Sequence, residues 1–187
     1  MQLSITLRDA EIGDLSDIVR VQYESQHELE FMALNPVEKT QFLLDYFDLF
    51  TLWNKRLTAL KNSYLCTVAY ENNIKKVVVY ISYRIMGSQA YIMGLYIKPK
   101  YARLGIGSKL LINLLKTFFV DLDIKIVNLE VFSLNNLAIN FYQKYGFEFS
   151  DFIMPEAFGG SAQNIFGDKY KVLQMSLEAK KFFDLAH

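Results

Sequence analysis

"YIMGLYIKPKYARLGIGSKLLINLLKTFF", residues 91–119, runs an apolar stretch into a proline, crosses a basic loop with two glycines, and emerges as a helical pattern. Leu110, Leu111, Leu114, Leu115 and Phe118 recur at the spacing of one helix face. A helix starting there turns its unpaired backbone N–H groups and the positive end of its dipole toward the loop. That makes an anion site. Gly105 and Gly107 let a phosphate approach the main chain without a Cβ in the way, and Arg103 and Lys109 add charge. A plain tight turn explains the same two glycines. Two familiar phosphate loops are excluded: no Walker pattern occurs, and Leu110 follows Ser108 and Lys109 without the third glycine of a dinucleotide fingerprint.

Upstream, three strand-like runs come in quick succession. "SYLCTVAY" ends at "ENN", "KKVVVYISYRI" at "MGSQ" and "AYIMGLYIK" at Pro99, which predicts an antiparallel meander. Gly94 inside the third run marks a bulge or a close backbone approach. Before these, "LSITLR" reads as a strand. Leu15, Ile18, Val19 and Tyr23 then predict a helix N-capped by Asp14, and residues 37 to about 60 a second helical region bearing Phe42, Leu43, Tyr46, Phe47, Phe50, Trp53 and Leu57. Downstream, "KIVNLEVF" predicts a strand, "NNLAINFYQKY" a helix, and "FEFSDFIM" with "YKVLQMSL" a final strand pair; "PEAFGGSAQNIFGDK" between them is too glycine-rich to be regular. The order β-α-α-β-β-β-α-β-α-β-β describes an α/β (α+β) fold, a mixed sheet with helices on its faces.

The chain has 187 residues, 52% hydrophobic and 15% aromatic, which suits one domain, residues 1–187, with a substantial core. One cysteine, Cys66, rules out an intramolecular disulfide and reads as a small buried apolar residue; no Cys/His cluster has metal spacing, so no metal is expected. No signal peptide or membrane-length apolar run appears, and the expectation is a soluble, cytoplasmic protein. Net charge is zero with scattered basic residues, which gives nucleic acid little purchase.

"LYIKPKYARLGIGSKLL", followed by "LEVFSLNNLAINFYQKYGF", resembles the GNAT superfamily of acetyl-coenzyme A-dependent N-acetyltransferases. The first block is similar to that family's strand, proline and pyrophosphate loop, R/Q-x-x-G-x-G/A. The second is similar to its LEV…N-x-x-A-x-x-F-Y-x-x-x-G-F block, here Leu129 to Val131, Asn135, Ala138, Phe141, Tyr142, Gly146 and Phe147. With "ITLRDAEIGDLSDI" the likeness covers nearly the whole chain, leaving residues 27–62 and 155–170 unmatched. Ala102 stands where the family commonly has Arg or Gln, with Arg103 one place on.

The resemblance implies a mostly antiparallel central sheet with a splayed parallel strand pair forming a cofactor cleft. It implies acetyl-coenzyme A as cosubstrate, its pyrophosphate held by the backbone amides of Ala102, Arg103, Leu104, Gly105, Ile106, Gly107 and Ser108. Leu95, Tyr96 and Ile97 would pair with the pantetheine arm, and one of their N–H groups would polarise the thioester carbonyl. Asn135 would bond the cofactor arm, a role compatible with its being an N-cap. Tyr142 matches the tyrosine that protonates the departing thiolate. A lysine-like amine must lose a proton before attack, yet "AYIMGLYI" has no carboxylate to take it. Glu130, twelve residues before Tyr142, has the spacing of the ribosomal-protein alanine N-acetyltransferase branch, where the equivalent glutamate is the proposed base acting through water; a surface ion pair is the other reading.

The acceptor is expected to be a primary amine, of a small molecule, a polyamine or a peptide N-terminus. Glu24, Glu28, Glu30, Glu38, Asp45 and Asp48 against Lys39 form either a rim attracting a cation or a solvated helix face, and Tyr46, Phe47, Phe50 and Trp53 either line the pocket or fill the core. His27 is read as solvated and His187 as terminal. A non-catalytic acyl-coenzyme A-binding module is the rival reading, and a homodimer is possible.

Overall fold

The structure is a computed structural model that describes residues 3–30, 44–58, 64–162 and 171–185. Its strands are β1 Ile5–Asp9, β2 Leu65–Glu71, β3 Lys76–Met86, β4 Gln89–Ile97, β5 Ile126–Phe132, β6 Glu148–Phe149 and β7 Val172–Glu178. Its helices are α1 Leu15–Ser25, α2 Tyr46–Thr58, α3 Ile106–Lys116, α4 Asn136–Lys144 and α5 Ala179–Leu185. Seven strands form one mixed sheet in the order β1-β2-β3-β4-β5-β7-β6. The β1–β2, β2–β3, β5–β7 and β6–β7 pairings are antiparallel, and β4–β5 is parallel. This is the mixed sheet flanked by helices that the element order predicts, and the mostly antiparallel arrangement with one parallel pair that the resemblance implies.

Two compact units divide the chain: residues up to Tyr83 with Gly94–Leu115, and Arg84–Met93 with the residues from Lys116 on. In the first, α1 presents Leu15, Ile18, Val19 and Val21, and α2 presents Leu49 and Trp53, to a core completed by Cys66, Val68, Val77 and Tyr80. Burial pushes the Cys66 thiol up, which keeps it a neutral packing residue. The carbonyl oxygen of buried Gln22 accepts two bonds at 2.7 Å, from the Trp53 indole and the Tyr80 hydroxyl.

Asp14 is buried but does not cap α1 through its side chain. Its carboxylate instead receives Arg8 guanidinium nitrogens at 2.7 and 2.8 Å and the Glu11 N–H at 2.9 Å, an ion pair that a reading by sequence neighbours misses. The second helical region is α2, Tyr46–Thr58; Phe42 and Leu43 lie outside the described residues.

In the second unit β5 is hydrogen-bonded to β4 from Gln89–Ile126 to Ile92–Leu129, and to β7 over its full length to Phe132–Val172. The ladder with β4 therefore stops before Glu130 among the described residues. Asn128, inside β5, accepts from the Ser176 hydroxyl at 2.7 Å and donates to Gln89 at 3.1 Å, so this buried amide is satisfied.

Two expectations for this half are corrected. The strand predicted over "FEFSDFIM" is only Glu148–Phe149, paired with β7 at Ser176 and Met175; the buried residues Phe147 and Met154 stand at the two ends of the stretch, while Phe149 is 56% and Ile153 88% exposed. A helix, α5, follows β7 where none is predicted. It begins as Ala179 donates to the Lys125 carbonyl at 2.9 Å, and its Phe182 packs on Phe119 with centroids 5.2 Å apart.

Candidate active site

The first unit carries the glycine loop. A 3-10 turn, Pro99–Tyr101, leads into extended Ala102, and the chain then takes positive φ at Arg103, 62°, and at Gly105, 77°. The first backbone bond of α3 runs from Lys109 N–H to Gly105 O at 3.0 Å, so the N–H groups of Ile106, Gly107 and Ser108 precede the helical ladder. Left-handed residues alternating with others turn successive N–H groups to one side, the geometry of an anion nest. The left-handed conformation costs a non-glycine residue such as Arg103 about 1 kcal/mol.

The two glycines have different reasons to be there. A Cβ on Gly105 would meet nothing within 4 Å, so backbone conformation demands glycine while the space beside it stays open. A Cβ on Gly107 would lie 2.7 Å from Cδ1 of Ile97. Gly107 is thus where α3 packs against its own strand, through the Ile97 side chain. Lys98, just before the loop, is buried; burial lowers its pKa while Glu24 and Asp17 work in the opposite direction. No sequence pattern singles it out.

Along β4 the residues Ala90, Tyr91 and Ile92 are buried, and the five from Met93 to Ile97, among them Leu95, Tyr96 and Ile97, are half-exposed. The change falls where pairing with β5 ends. Gly94 is a close approach: a Cβ there would lie 2.5 Å from the Tyr96 ring. That ring sits 5.3 Å from Tyr80, and its hydroxyl accepts from Gln26 at 3.4 Å.

The second unit holds Tyr142, Asn135 and Glu130. Tyr142, on α4, is 7% exposed, with Phe141 and Phe147 edge-on at 5.3 and 5.5 Å. Asn135 caps α4, its side-chain oxygen accepting the Ala138 N–H at 3.0 Å; this uses Oδ1, and no acceptor among the described residues takes the Nδ2 donors. α4 ends at Gly146, φ 88°, where a Cβ would also lie 2.6 Å from Cδ1 of Leu185 and 3.2 Å from Cδ1 of Leu177. Gly146→Ala adds left-handed strain to crowding against buried Leu177, and is expected to lose about 2–3 kcal/mol of stability, read as a lower urea midpoint.

Glu130 is not in an ion pair among the described residues. Oε1 accepts from the Ser161 hydroxyl at 2.6 Å and Gln174 at 3.3 Å, and Oε2 from the Ala162 N–H at 2.7 Å. Among the described residues, four lone pairs and three donors leave one acceptor direction on Oε2.

The acidic stretch divides. Asp45 caps α2 by accepting the Asp48 N–H at 2.8 Å, and Glu28 and Asp48 are exposed. Glu38, Lys39 and the Glu30 side chain lie outside the described residues, as does His187. Trp53 is core, whereas Phe47 is 75% exposed. His27 is half-buried, stacked on Tyr23 at 4.1 Å, with Nδ1 2.9 Å from the Tyr23 carbonyl, where a solvated side chain was expected.

The model of the acetyltransferase (GNAT) family matches residues 22–147. No curated protein sequence matches the chain. Among solved structures, PaiA N-acetyltransferase from Thermoplasma acidophilum in complex with coenzyme A is 20% identical, covers 94% of this chain and 99% of its own, and has a TM-score of 0.67. The ribosomal-protein alanine N-acetyltransferase from Escherichia coli is 18% identical over 94% of each chain, TM-score 0.65. A mutant of spermidine N-acetyltransferase SpeG from Vibrio cholerae is 20% identical over 98% of each, TM-score 0.68. At these identities the likeness is one of fold.

Proposed function

Because the chain belongs to the acetyltransferase (GNAT) family, we propose that it transfers the acetyl group of acetyl-coenzyme A directly to a primary amine, of a small molecule, a polyamine or a peptide N-terminus, in the cytoplasm. The observation that carries this reading is the loop at the head of α3, with Arg103 and Gly105 left-handed and open space beside Gly105. A diphosphate fits there, held by the amides of residues 102–108 and the dipole of an 11-residue helix. Half-exposed Leu95, Tyr96 and Ile97 would offer main-chain groups to the pantetheine amides, and one N–H to the thioester oxygen. Nδ2 of Asn135 would hold the same arm.

Chemistry then needs three proton movements. The ammonium gives up one proton to water held by Glu130; the neutral nitrogen attacks the thioester carbonyl; as the C–S bond breaks the nitrogen gives up a second proton to that water; and the leaving sulfur takes the Tyr142 hydroxyl proton, which solvent replaces. The second reading, a non-catalytic acyl-coenzyme A-binding module, draws on the three hydrogen bonds that already engage Glu130.

Thiol release from acetyl-coenzyme A across a panel of amines separates the two. Release above background with an acceptor supports the enzyme; cofactor binding without release from any amine supports the module. Glu130→Gln is expected to lower kcat about 10²-fold, the scale of a lost general base. A rate within a few-fold of wild type reduces Glu130 to an anchor for Ser161 and Ala162.

A further inference from the structure

We propose that Arg56 recognises a carboxylate on the acceptor, so that the preferred substrate is a zwitterionic amine of amino-acid type and not a polyamine; this rests on the acetyltransferase reading. Arg56 lies in the last turn of α2, half-buried, with its guanidinium carbon 4.2 Å from the Tyr64 ring centroid and 5.2 Å from that of Trp53. No carboxylate, carbonyl or hydroxyl among the described residues accepts from it. Contact with two rings set nearly perpendicular, at 87°, uses no N–H acceptor, and a guanidinium keeps five N–H donors in one plane, the fork that matches a carboxylate bidentately. Two rings restrain the side chain beforehand, which lowers the ordering cost of binding.

Both rings lead to the strand expected to aim the thioester. Tyr64 donates to the Ser82 hydroxyl at 3.2 Å, which donates to the Gly94 carbonyl at 3.5 Å. Trp53 is edge-on to Tyr80 at 5.0 Å, and Tyr80 lies 5.3 Å from Tyr96. The charge is felt inward as well: burial pushes the Tyr80 hydroxyl and the Cys66 thiol up, and Arg56 is the cation that opposes it at both. A cation placed there repels a second ammonium and attracts a carboxylate, while half-buried Glu24 stands on α1 in the same unit.

The test measures thiol release with an amino acid, its carboxamide and spermidine, for wild type, Arg56→Gln and Arg56→Lys. Expected for wild type is a kcat/KM about tenfold or more higher for the carboxylate than for the carboxamide, carried by KM. Arg56→Gln should bring that ratio near one, and Arg56→Lys should restore part of it. Equal or better use of the carboxamide or of spermidine by wild type overturns the proposal, as does an equal loss on both acceptors in Arg56→Gln, which marks a packing role. Calorimetric titration with the N-acetylated amino acid and its amide keeps the two ideas apart. Carboxylate-dependent binding abolished in Arg56→Gln, without thiol release, sinks the enzyme and leaves the carboxylate site; equal binding of both ligands sinks the site.

Discussion

Tyr142→Phe is expected to lower kcat by about 10²-fold or more while leaving KM for acetyl-coenzyme A nearly unchanged. The substitution removes one oxygen and keeps the ring, and the ring is what Phe141 and Phe147 hold edge-on, so the helix and its packing should survive. What goes is the proton for the leaving sulfur. A thiol with an ordinary pKa near 8.5 is a poorer base than a phenolate with one near 10, so full transfer from tyrosine is mildly uphill and the hydroxyl helps most as the C–S bond lengthens. Stopped-time thiol assays at several pH values check this. A wild-type rate in Tyr142→Phe removes the residue from the mechanism.

The largest loss of stability is expected from Gln22→Leu. Leucine fills much of the same volume but offers no acceptor, which strands the Trp53 indole N–H and the Tyr80 hydroxyl, both on fully buried side chains. Two orphaned donors at about 1–3 kcal/mol each give roughly 2–6 kcal/mol, visible as a lower urea midpoint at an unchanged slope. Tyr80→Phe removes one donor together with its need, so adding it to Gln22→Leu should cost less than the sum of the two single changes. Strict additivity would mean that the 2.7 Å contacts carry no coupling.

What the sequence displays well is periodicity and turn chemistry. The helix of Leu110 to Phe118, the three meander strands and the cap at Asn135 each depend on residues a few positions apart, and each is present. Contacts between distant positions are another matter. Glu130 meets Ser161, and Gln22 meets Trp53, across 31 residues, a separation at which side-chain type alone does not identify a partner. Gly107 shows a subtler limit: glycine is legible, but whether the space belongs to a ligand or to Ile97 depends on where α3 is laid against β4. Arg56 carries no spacing signature as a lone arginine; its rings come from position 53 on its own helix and position 64 beyond it. The end of the chain misled for a different reason. Phe182 and Phe183 are adjacent, so α5 lacks a helical stripe, and it is held by docking on Phe119.

The chain has a single tryptophan, and it is fully buried. Trp53 touches Tyr80, and Tyr80 touches Tyr96 on the strand expected to receive the cofactor. Its ultraviolet emission is therefore a native spectroscopic reporter: one fluorophore, shielded from water, two aromatic contacts from the event of interest. A shift in its colour or intensity on titration would follow occupancy of that strand in real time, with no dye attached.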